Sequence, residues 1–274
     1  MFKNISKYIV IVVLVLLFVV ALVEIKISLY GRETTEVPGP ITGLDTPEIE
    51  EVENDIVVEE EVVEQVEIEV PKELKPEDIV IDYSLFENSI FIGNSRTQGL
   101  FRYSDLSAKE YTYQGLTVDT IHTERVINQN GSKVTIADAI RLSPNFETAY
   151  IMMGTNELGW KVRRIFIERY EKIIDLVLEA NPECTIYVQS ILPVTERISL
   201  NDKVFNMPTI NEFNSLIKDM CERKGVIYVD ITSALVNENG YLPDEASNDG
   251  IHLNKLYCRI WLKYLSENYT SKED

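Results

Sequence analysis

The sequence has few of the residues that metal sites and disulfide frameworks require. Its 274 residues include only two histidines and three cysteines, and no two cysteines have the Cys-x-x-Cys spacing of a zinc or iron–sulfur site. Three thiols form at most one bridge, so the fold cannot depend on a disulfide framework. Apolar neighbours predict free, buried thiols at Cys184, Cys221 and Cys258. We expect no metal site.

The sequence also lacks a glycine-rich phosphate loop, and therefore no cofactor is predicted. The net charge of −19 opposes nucleic acid as a partner, because phosphate binding needs clustered Lys and Arg. This charge is concentrated between Glu33 and Pro71, where there is no Lys or Arg and where fourteen Asp and Glu residues occur. The remainder is only mildly acidic.

One long hydrophobic run is present near the N-terminus. Tyr8 to Val23 is apolar and follows Lys3 and Lys7. A run of about sixteen residues is intermediate between a signal-peptide core and a full span of roughly twenty. No small-x-small cleavage site follows, so an uncleaved anchor in residues 1–30 is favoured over a cleaved signal. The lysines place the N-terminus inside, which predicts a single-pass cell-membrane protein with an extracytoplasmic domain.

Residues 31–77 are punctuated by proline, and between the prolines Glu alternates with Val and Ile. The two-residue period is typical of a strand, but dense like charge opposes sheet pairing. The main interpretation is a disordered acidic linker that spaces the domain from the membrane. Association with a basic partner is an alternative that has only the charge in its favour.

Residues 78–274 are predicted to form one α/β domain in which strands alternate with amphipathic helices, an order that indicates a parallel sheet with helices on both faces. The predicted strands are Ser89–Ile92, Glu110–Gln114, Thr148–Met153, Thr185–Gln189 and Val226–Asp230, and the predicted helices are Arg163–Ala180, Asn206–Lys224 and Lys255–Tyr269.

Polar residues follow these strands at the edge where ligands of parallel sheets gather. Gly93-Asn94-Ser95 follows the first strand, Gly115 the second, and Asn156 the third. Asp249 and His252 lie between the fifth strand and the last helix. Taken alone, a serine at a strand-to-helix turn more often caps the helix than acts as a nucleophile.

These four blocks, in this order, resemble those of the SGNH (GDSL) hydrolase family over about residues 88–265. The resemblance implies a flavodoxin-like three-layer α/β/α sandwich with a five-stranded parallel sheet. It also implies a catalytic triad in which Ser95 is the nucleophile, His252 the general base and Asp249 the residue that orients the imidazole. A base within about 3 Å is what makes a serine hydroxyl nucleophilic.

The resemblance further implies an oxyanion hole built from the Ser95 N–H, the Gly115 N–H and the Asn156 side chain. Two positions depart from the family pattern, since the family's usual Asp before the serine is Asn94 here and its usual Asp after the asparagine is Glu157. Asn94 can still hydrogen-bond to hold its loop, and activity is expected to be retained.

Arg96 and Trp160 adjoin the blocks and are candidates for substrate contact. Their alternatives are a surface or salt-bridging helix residue for Arg96 and a packing residue for Trp160. His122 is interpreted as an ordinary surface or loop histidine.

The predicted function is a membrane-anchored, extracytoplasmic serine esterase that cleaves acyl esters, with carbohydrate or cell-envelope O-acetyl groups as the first substrate class and lipid esters next. The expected partners are a small-molecule or glycan ester substrate and, through the N-terminal helix, the membrane. One alternative is an O-acyltransferase acting on cell-wall polysaccharide. Another is a non-catalytic wall-binding module with a degenerate site.

Overall fold

The computed structural model describes residues 74–143 and 145–268. The predicted anchor at residues 1–30 and all but the end of the predicted linker at 31–77 lie outside these ranges. Within them, no helix combines the length and apolar character that crossing a bilayer requires. The described residues begin just before a 3-10 turn, Pro76–Asp78, and the Arg259 side chain donates to the Pro76 carbonyl at 2.7 Å.

The centre of the fold is a five-stranded sheet in which every pair of neighbours is parallel. When only the five strands of this sheet are numbered, from 1 to 5 along the chain, their order across the sheet is 2-1-3-4-5. This is the doubly wound order of flavodoxin-like folds. The predicted parallel sheet is confirmed. In chain order the strands of the sheet are β1 (Ser89–Gly93), β2 (Lys109–Thr112), β5 (Thr148–Met152), β6 (Thr185–Gln189) and β7 (Ile227–Val229). The intervening β3 (Arg125–Gln129) and β4 (Ser132–Thr135) form a separate hairpin.

Seven α-helices lie in the described ranges, five of them between strands and two after the last strand. Each of the three predicted helices is present, and the first of them, Arg163–Ala180, has the predicted bounds, because its apolar residues recur at helical spacing. Glycine in the left-handed conformation ends α5, at Gly225. The helices are α1 (Ser95–Tyr103), α2 (Ile136–Arg141), α3 (Arg163–Ala180), α4 (Glu196–Asn201), α5 (Met207–Lys224), α6 (Thr232–Leu235) and α7 (Lys255–Glu267).

The sheet separates two hydrophobic clusters, and this makes the fold three-layered. Alternate residues of β1 illustrate the division, because Ile90 and Ile92 belong to a cluster with α2, α3 and α5, whereas Phe91 belongs to one with α1, α6 and α7. The second cluster contains the buried Trp261, whose indole N–H donates to the Gln189 side chain at 2.7 Å. As predicted, the three cysteines are free and buried.

The sequence analysis missed a two-stranded antiparallel hairpin, β3 (Arg125–Gln129) and β4 (Ser132–Thr135). Its turn is Asn130-Gly131, and both residues have positive φ, 51° and 79°. Asn-Gly is the preferred pair for such a turn. The strands are short and all but one of their residues are exposed or half-buried, so they carry little of the apolar alternation on which strand prediction depends.

Candidate active site

The turn between β1 and α1 presents Ser95. β1 ends at Gly93 and α1 begins at Ser95, whose side chain is half-buried. Asn94 caps the helix, because its side-chain oxygen accepts the Arg96 N–H at 3.0 Å. The capping role that a serine often has is therefore filled by its neighbour, and the Ser95 hydroxyl is left for another partner. Asn94 thus holds the loop despite its departure from the family pattern.

That partner is the imidazole of His252. The Ser95 Oγ lies 3.0 Å from His252 Nε2, and the other ring nitrogen, Nδ1, lies 2.7 Å from Oδ2 of Asp249. Both distances are in the hydrogen-bonding range, so the imidazole can accept the hydroxyl proton while the carboxylate fixes its tautomer. The structure brings together the three residues that the sequence predicts as a triad.

The turn that carries Asp249 holds its carboxylate in place. Oδ1 accepts the N–H groups of Ile251 and His252, each at 2.8 Å, and the Ser247 hydroxyl at 3.0 Å. Partial burial acts to raise the pKa of Asp249, but the hydrogen bonds from the His252 backbone and ring, from Ile251 and from Ser247 outweigh it, and the pKa lies well below its usual range. The group is therefore a carboxylate at neutral pH.

The loops that follow β2 and β5 are joined to each other by side-chain hydrogen bonds. The Asn156 side-chain amide donates to the Leu116 carbonyl at 2.7 Å, and Glu157 Oε1 accepts the Val118 N–H at 2.6 Å. These bonds fix the segment that begins with Gly115, whose φ of 79° is left-handed. An amide has two N–H donors, and Asn156 therefore keeps one beyond the bond to Leu116.

Glu157 is fully buried and its carboxyl group has an unusual pKa. Burial raises the pKa of Glu157 to about 7, although the backbone N–H of Val118 opposes the shift. Glutamate is one methylene longer than the Asp that is usual here, and its carboxyl group reaches the loop that contains Val118.

The comparisons with known proteins agree with this geometry. The model of the GDSL-like Lipase/Acylhydrolase family matches residues 91–257, a stretch that includes the predicted nucleophile, the oxyanion-hole candidates and the Asp–His pair. The chain belongs to this family. As a GDSL-like acylhydrolase it is a hydrolase of ester bonds. Among curated proteins, none matches the sequence significantly.

Solved structures of low sequence identity share the fold. A GDSL-like lipase from Bacteroides thetaiotaomicron is 16% identical, with a TM-score of 0.51 and coverage of 70% of this chain and 92% of the other. A proposed acylhydrolase from Bacteroides fragilis is 14% identical, with a TM-score of 0.51 and coverage of 70% and 90%. A proposed lipolytic protein of the G-D-S-L family from Desulfitobacterium hafniense is 15% identical, with a TM-score of 0.51 and coverage of 66% and 98%.

Arg96 of this GDSL-like acylhydrolase is buried directly behind the nucleophile. Its side chain is 3% exposed, and its guanidinium donates to the carbonyls of Leu192 at 2.7 Å, Pro193 at 2.6 Å and Ile251 at 2.9 Å. Arg96 also lines the cavity beside Ser95, so its contact with substrate stays a prediction, but it is not the surface or salt-bridging residue of the alternative interpretation. Burial lowers the pKa of Arg96 to about 9, with the charge of Asp249 opposing, so the group stays cationic at neutral pH.

Trp160 is placed as a packing residue, which was the alternative to substrate contact. The indole is partly buried against the hydrophobic cluster of α2, α3 and α5, and the guanidinium carbon of Arg169 lies 5.5 Å from its ring centroid. It does not line the cavity beside the Ser95 hydroxyl. The substrate contact expected of Trp160 is thus not what the structure shows. His122 is exposed in a 3-10 turn, as interpreted from the sequence.

A cavity of about 260 Å³ opens beside Ser95 and His252. The sequence analysis missed most of the side chains that line it, although helical spacing from Ser95 along α1 could have found three of them. In residues 74–143 and 145–268 no cluster of His, Cys, Asp or Glu is suited to a metal ion. The newly identified lining residues include Gln98, Arg102, Tyr103, Gln114 and Leu253.

Proposed function

We propose that this family member is a membrane-anchored, extracytoplasmic serine esterase that removes acyl groups, chiefly O-acetyl groups, from carbohydrate or cell-envelope esters. The observation that carries the proposal is the continuous chain of hydrogen bonds from Ser95 through His252 to Asp249. This arrangement is what formation and hydrolysis of an acyl-serine require.

The reaction proceeds in two steps. In the first, Ser95 Oγ attacks the ester carbonyl as His252 Nε2 accepts the hydroxyl proton, and Asp249 stabilises the imidazolium. The tetrahedral intermediate collapses, the C–O bond to the alcohol breaks, and His252 gives its proton to the departing oxygen. In the second step, His252 accepts a proton from water, the resulting hydroxide attacks the acyl-serine, and the acid leaves as the Ser95 hydroxyl regains its proton.

The negative charge on the tetrahedral oxygen needs hydrogen-bond donors. In the proposed oxyanion hole these are the backbone N–H groups of Ser95 and Gly115 and the remaining side-chain N–H of Asn156. The bond from Asn156 to Leu116, at 2.7 Å, supports this assignment, because it connects two of the three donors through one loop. Donors fixed before the reaction need no reorganisation when charge develops.

The openness of the site favours a bulky alcohol over a buried lipid chain. The side chains of His252 and Asp249 are 50% and 54% exposed, so one side of the catalytic base faces solvent. Long acyl chains are normally bound in enclosed apolar pockets. A solvent-facing base beside a cavity of about 260 Å³ fits a short acyl group on a large polar carrier better.

The test of activity compares the full-length chain with its Ser95→Ala variant on 4-nitrophenyl acetate. We expect turnover by the wild type and its loss in Ser95→Ala, whereas Ser107→Ala, at an exposed loop serine, keeps it. Equal turnover by wild type and Ser95→Ala contradicts the esterase and favours the non-catalytic wall-binding module. Adding a sugar acceptor separates hydrolysis from O-acyltransfer, because acetate then appears either free or on the sugar.

The proposed location rests on the sequence of residues 1–30, where an apolar run follows two lysines. The native cysteines are buried, which makes a single introduced cysteine a clean reporter. We expect a cysteine introduced at Thr35 to react with a membrane-impermeant maleimide in intact cells, and one introduced at Asn4 to react only after lysis. Labelling of Asn4→Cys in intact cells, or protection of Thr35→Cys, contradicts the proposed orientation.

A further inference from the structure

A second cavity continues the one beside Ser95. It has a volume of about 250 Å³ and shares Arg102 and Tyr103 with the first, so these two side chains separate neighbouring parts of one depression. The first cavity contains Ser95 and His252, and the second extends to Lys255 at the start of α7. We call the two cavities together the groove.

Helix α1 forms the floor of the groove along one face. Ser95, Gln98 and Arg102 are three and four residues apart, the spacing that places side chains on the same face of an α-helix. Seven residues of helix advance about 10 Å along the axis. A substrate whose acyl carbon lies at Ser95 would therefore reach Arg102 with a group about two helical turns away.

The cation of Arg102 has no carboxylate partner among the described residues. Its side chain is exposed and lies in the last turn of α1. Lys255 likewise forms no ion pair within the described part of the chain. Five other arginines do pair with a carboxylate: Arg141, Arg163, Arg164, Arg169 and Arg223.

Of the four cations that line the groove, only Arg102 and Lys255 are available to a ligand, because the other two are occupied by hydrogen bonds within the fold. The guanidinium of Arg96 is held by backbone carbonyls, and that of Arg259 is held by the carbonyls of Pro76 and Ile79 and the hydroxyl of Tyr83. Among the residues that the structure describes, one carboxylate, that of Asp105, lines the outer cavity, and none lines the inner one. Two free cations in a chain with a net charge of −19 form a local site where an anion is attracted.

We infer that the groove binds an anionic group of the ester substrate, a carboxylate or a phosphate, with Arg102 as its principal ligand and Lys255 beyond it. The inference rests on the proposed esterase function, since it names the substrate class of the same site. A guanidinium presents paired N–H donors that match either anion. Anionic esters are thus selected over neutral ones of the same shape.

A structural role for Arg102 predicts a different result. A cation in the last turn of a helix interacts favourably with the helix dipole, and this contributes to stability whatever the substrate. Such a role changes the thermal midpoint of Arg102→Gln without changing the preference between charged and neutral substrates. Substrate-charge preference is therefore the deciding measurement.

The probes are two esters that differ only in charge at the far end. The first is 6-acetoxyhexanoate, an acetyl ester whose alcohol part carries a free carboxylate, and the second is 6-acetoxyhexanamide, in which that carboxylate is a primary amide. The ratio of kcat/KM for the charged ester to that for the amide is measured for the wild type, Arg102→Gln and Arg125→Gln. Arg125 is exposed on β3 and lines neither cavity, so its variant removes the same charge elsewhere.

We expect a ratio above one in the wild type and in Arg125→Gln, lowered about three- to tenfold in Arg102→Gln and lowered by added salt. Benzoate and phenylphosphonate, as competitors of the neutral ester, distinguish the two anions. The competitor whose inhibition weakens in Arg102→Gln identifies the group that the groove prefers. An equal ratio in wild type and Arg102→Gln, with equal inhibition, overturns the inference.

Failure of the esterase is distinguishable from failure of the anion site. If the neutral ester is turned over in a Ser95-dependent manner and the charge ratio does not depend on Arg102, only the anion site is wrong. If neither ester is turned over, calorimetric binding of 6-acetoxyhexanoate to the wild type and to Arg102→Gln decides, because it needs no reaction. Weaker binding in Arg102→Gln supports the site, and equal binding overturns it.

Discussion

The guanidinium of Arg96 donates twice to the carbonyl oxygen of Ile251, the residue that immediately precedes His252. The same group donates to the carbonyls of Leu192 and Pro193, in the loop that follows β6. One buried side chain next to the nucleophile therefore connects α1 with two loops at the carboxyl edge of the sheet. We regard Arg96 as a positioning residue, which acts on the reaction through His252.

The first prediction concerns Arg96→Lys. Lysine keeps the charge but replaces the planar fork of donors with one ammonium, so it cannot serve all three carbonyls. We expect a loss of stability of about 2–4 kcal/mol, because buried acceptors are left without donors. We also expect kcat for 4-nitrophenyl acetate to fall at least tenfold with little change in KM, since the His252 loop is less well fixed.

Arg259→Lys is the matched control. The Arg259 guanidinium also donates to backbone carbonyls, those of Pro76 and Ile79, and does so on the side of α7 that packs against the first described residues. We expect a loss of stability without a change in kcat. If Arg96→Lys and Arg259→Lys lower stability to the same extent and both leave kcat unchanged, Arg96 is a residue of the fold and not of the site.

Asp249→Asn tests the carboxylate of the proposed triad. The amide oxygen can still accept the N–H groups of Ile251 and His252, so the turn is retained. An amide in the place of the carboxylate favours the wrong imidazole tautomer and cannot stabilise the imidazolium. A substitution of this kind costs about 10⁴ in kcat in a serine protease triad, and we expect a loss of that order. A loss below tenfold means that His252 does not need Asp249.

Asn156→Asp tests the proposed oxyanion donor. The carboxylate has the shape of the amide but no N–H, and it would face the developing negative charge. We expect kcat to fall by about 10²–10³ with KM little changed, the usual cost of one oxyanion donor. Asn156→Ala removes the donor without adding charge, so a much larger loss in Asn156→Asp than in Asn156→Ala measures the added repulsion. Unchanged kcat in both variants excludes Asn156 from the oxyanion hole.

Gly93 is packed so closely that even a methyl group does not fit. A Cβ at this position would lie 2.1 Å from the Thr97 hydroxyl oxygen and 2.7 Å from its Cβ. We expect Gly93→Ala to lower the free energy of unfolding by about 1–3 kcal/mol through overpacking. At Gly99, within α1, a Cβ would meet only Cys258 Sγ at 3.6 Å. Gly99→Ala should therefore be neutral or stabilising by up to about 1 kcal/mol, and a comparable loss in both contradicts the packing argument.

The parts of the structure that depend on local pattern were predicted well. The α3 bounds, Arg163–Ala180, follow from one amphipathic period, and the Asp249–His252 pair lies within a single turn of chain. Ser95 was placed correctly because parallel strands share one carboxyl edge, where the loops converge.

The residues that were misinterpreted depend on distant partners. Arg96 reads as a polar helix residue, and the carbonyls that accept its hydrogen bonds lie 96 to 155 residues away in sequence. Arg102 was missed for a similar reason, since only the folded chain shows that it lines the same cavity as Lys255. Sequence spacing identifies which residues share an element, but it does not identify which elements meet.

The last prediction concerns the buried carboxyl group of Glu157, whose pKa burial raises to about 7 from an ordinary value of 4.5. Between these two values the folded chain keeps a proton that the unfolded chain has lost. The free energy of unfolding should therefore fall as pH rises from about 4.5 to 7, and level off above 7, by up to a few kcal/mol. Glu157→Gln has no titrating group at this position and can still accept the Val118 N–H, so this part of the pH dependence should disappear.

Denaturant unfolding at several pH values measures the free energy of unfolding, with exposed Glu87→Gln as the control that keeps the wild-type pH dependence. An identical pH dependence in the wild type and Glu157→Gln would show that Glu157 is not the group that titrates.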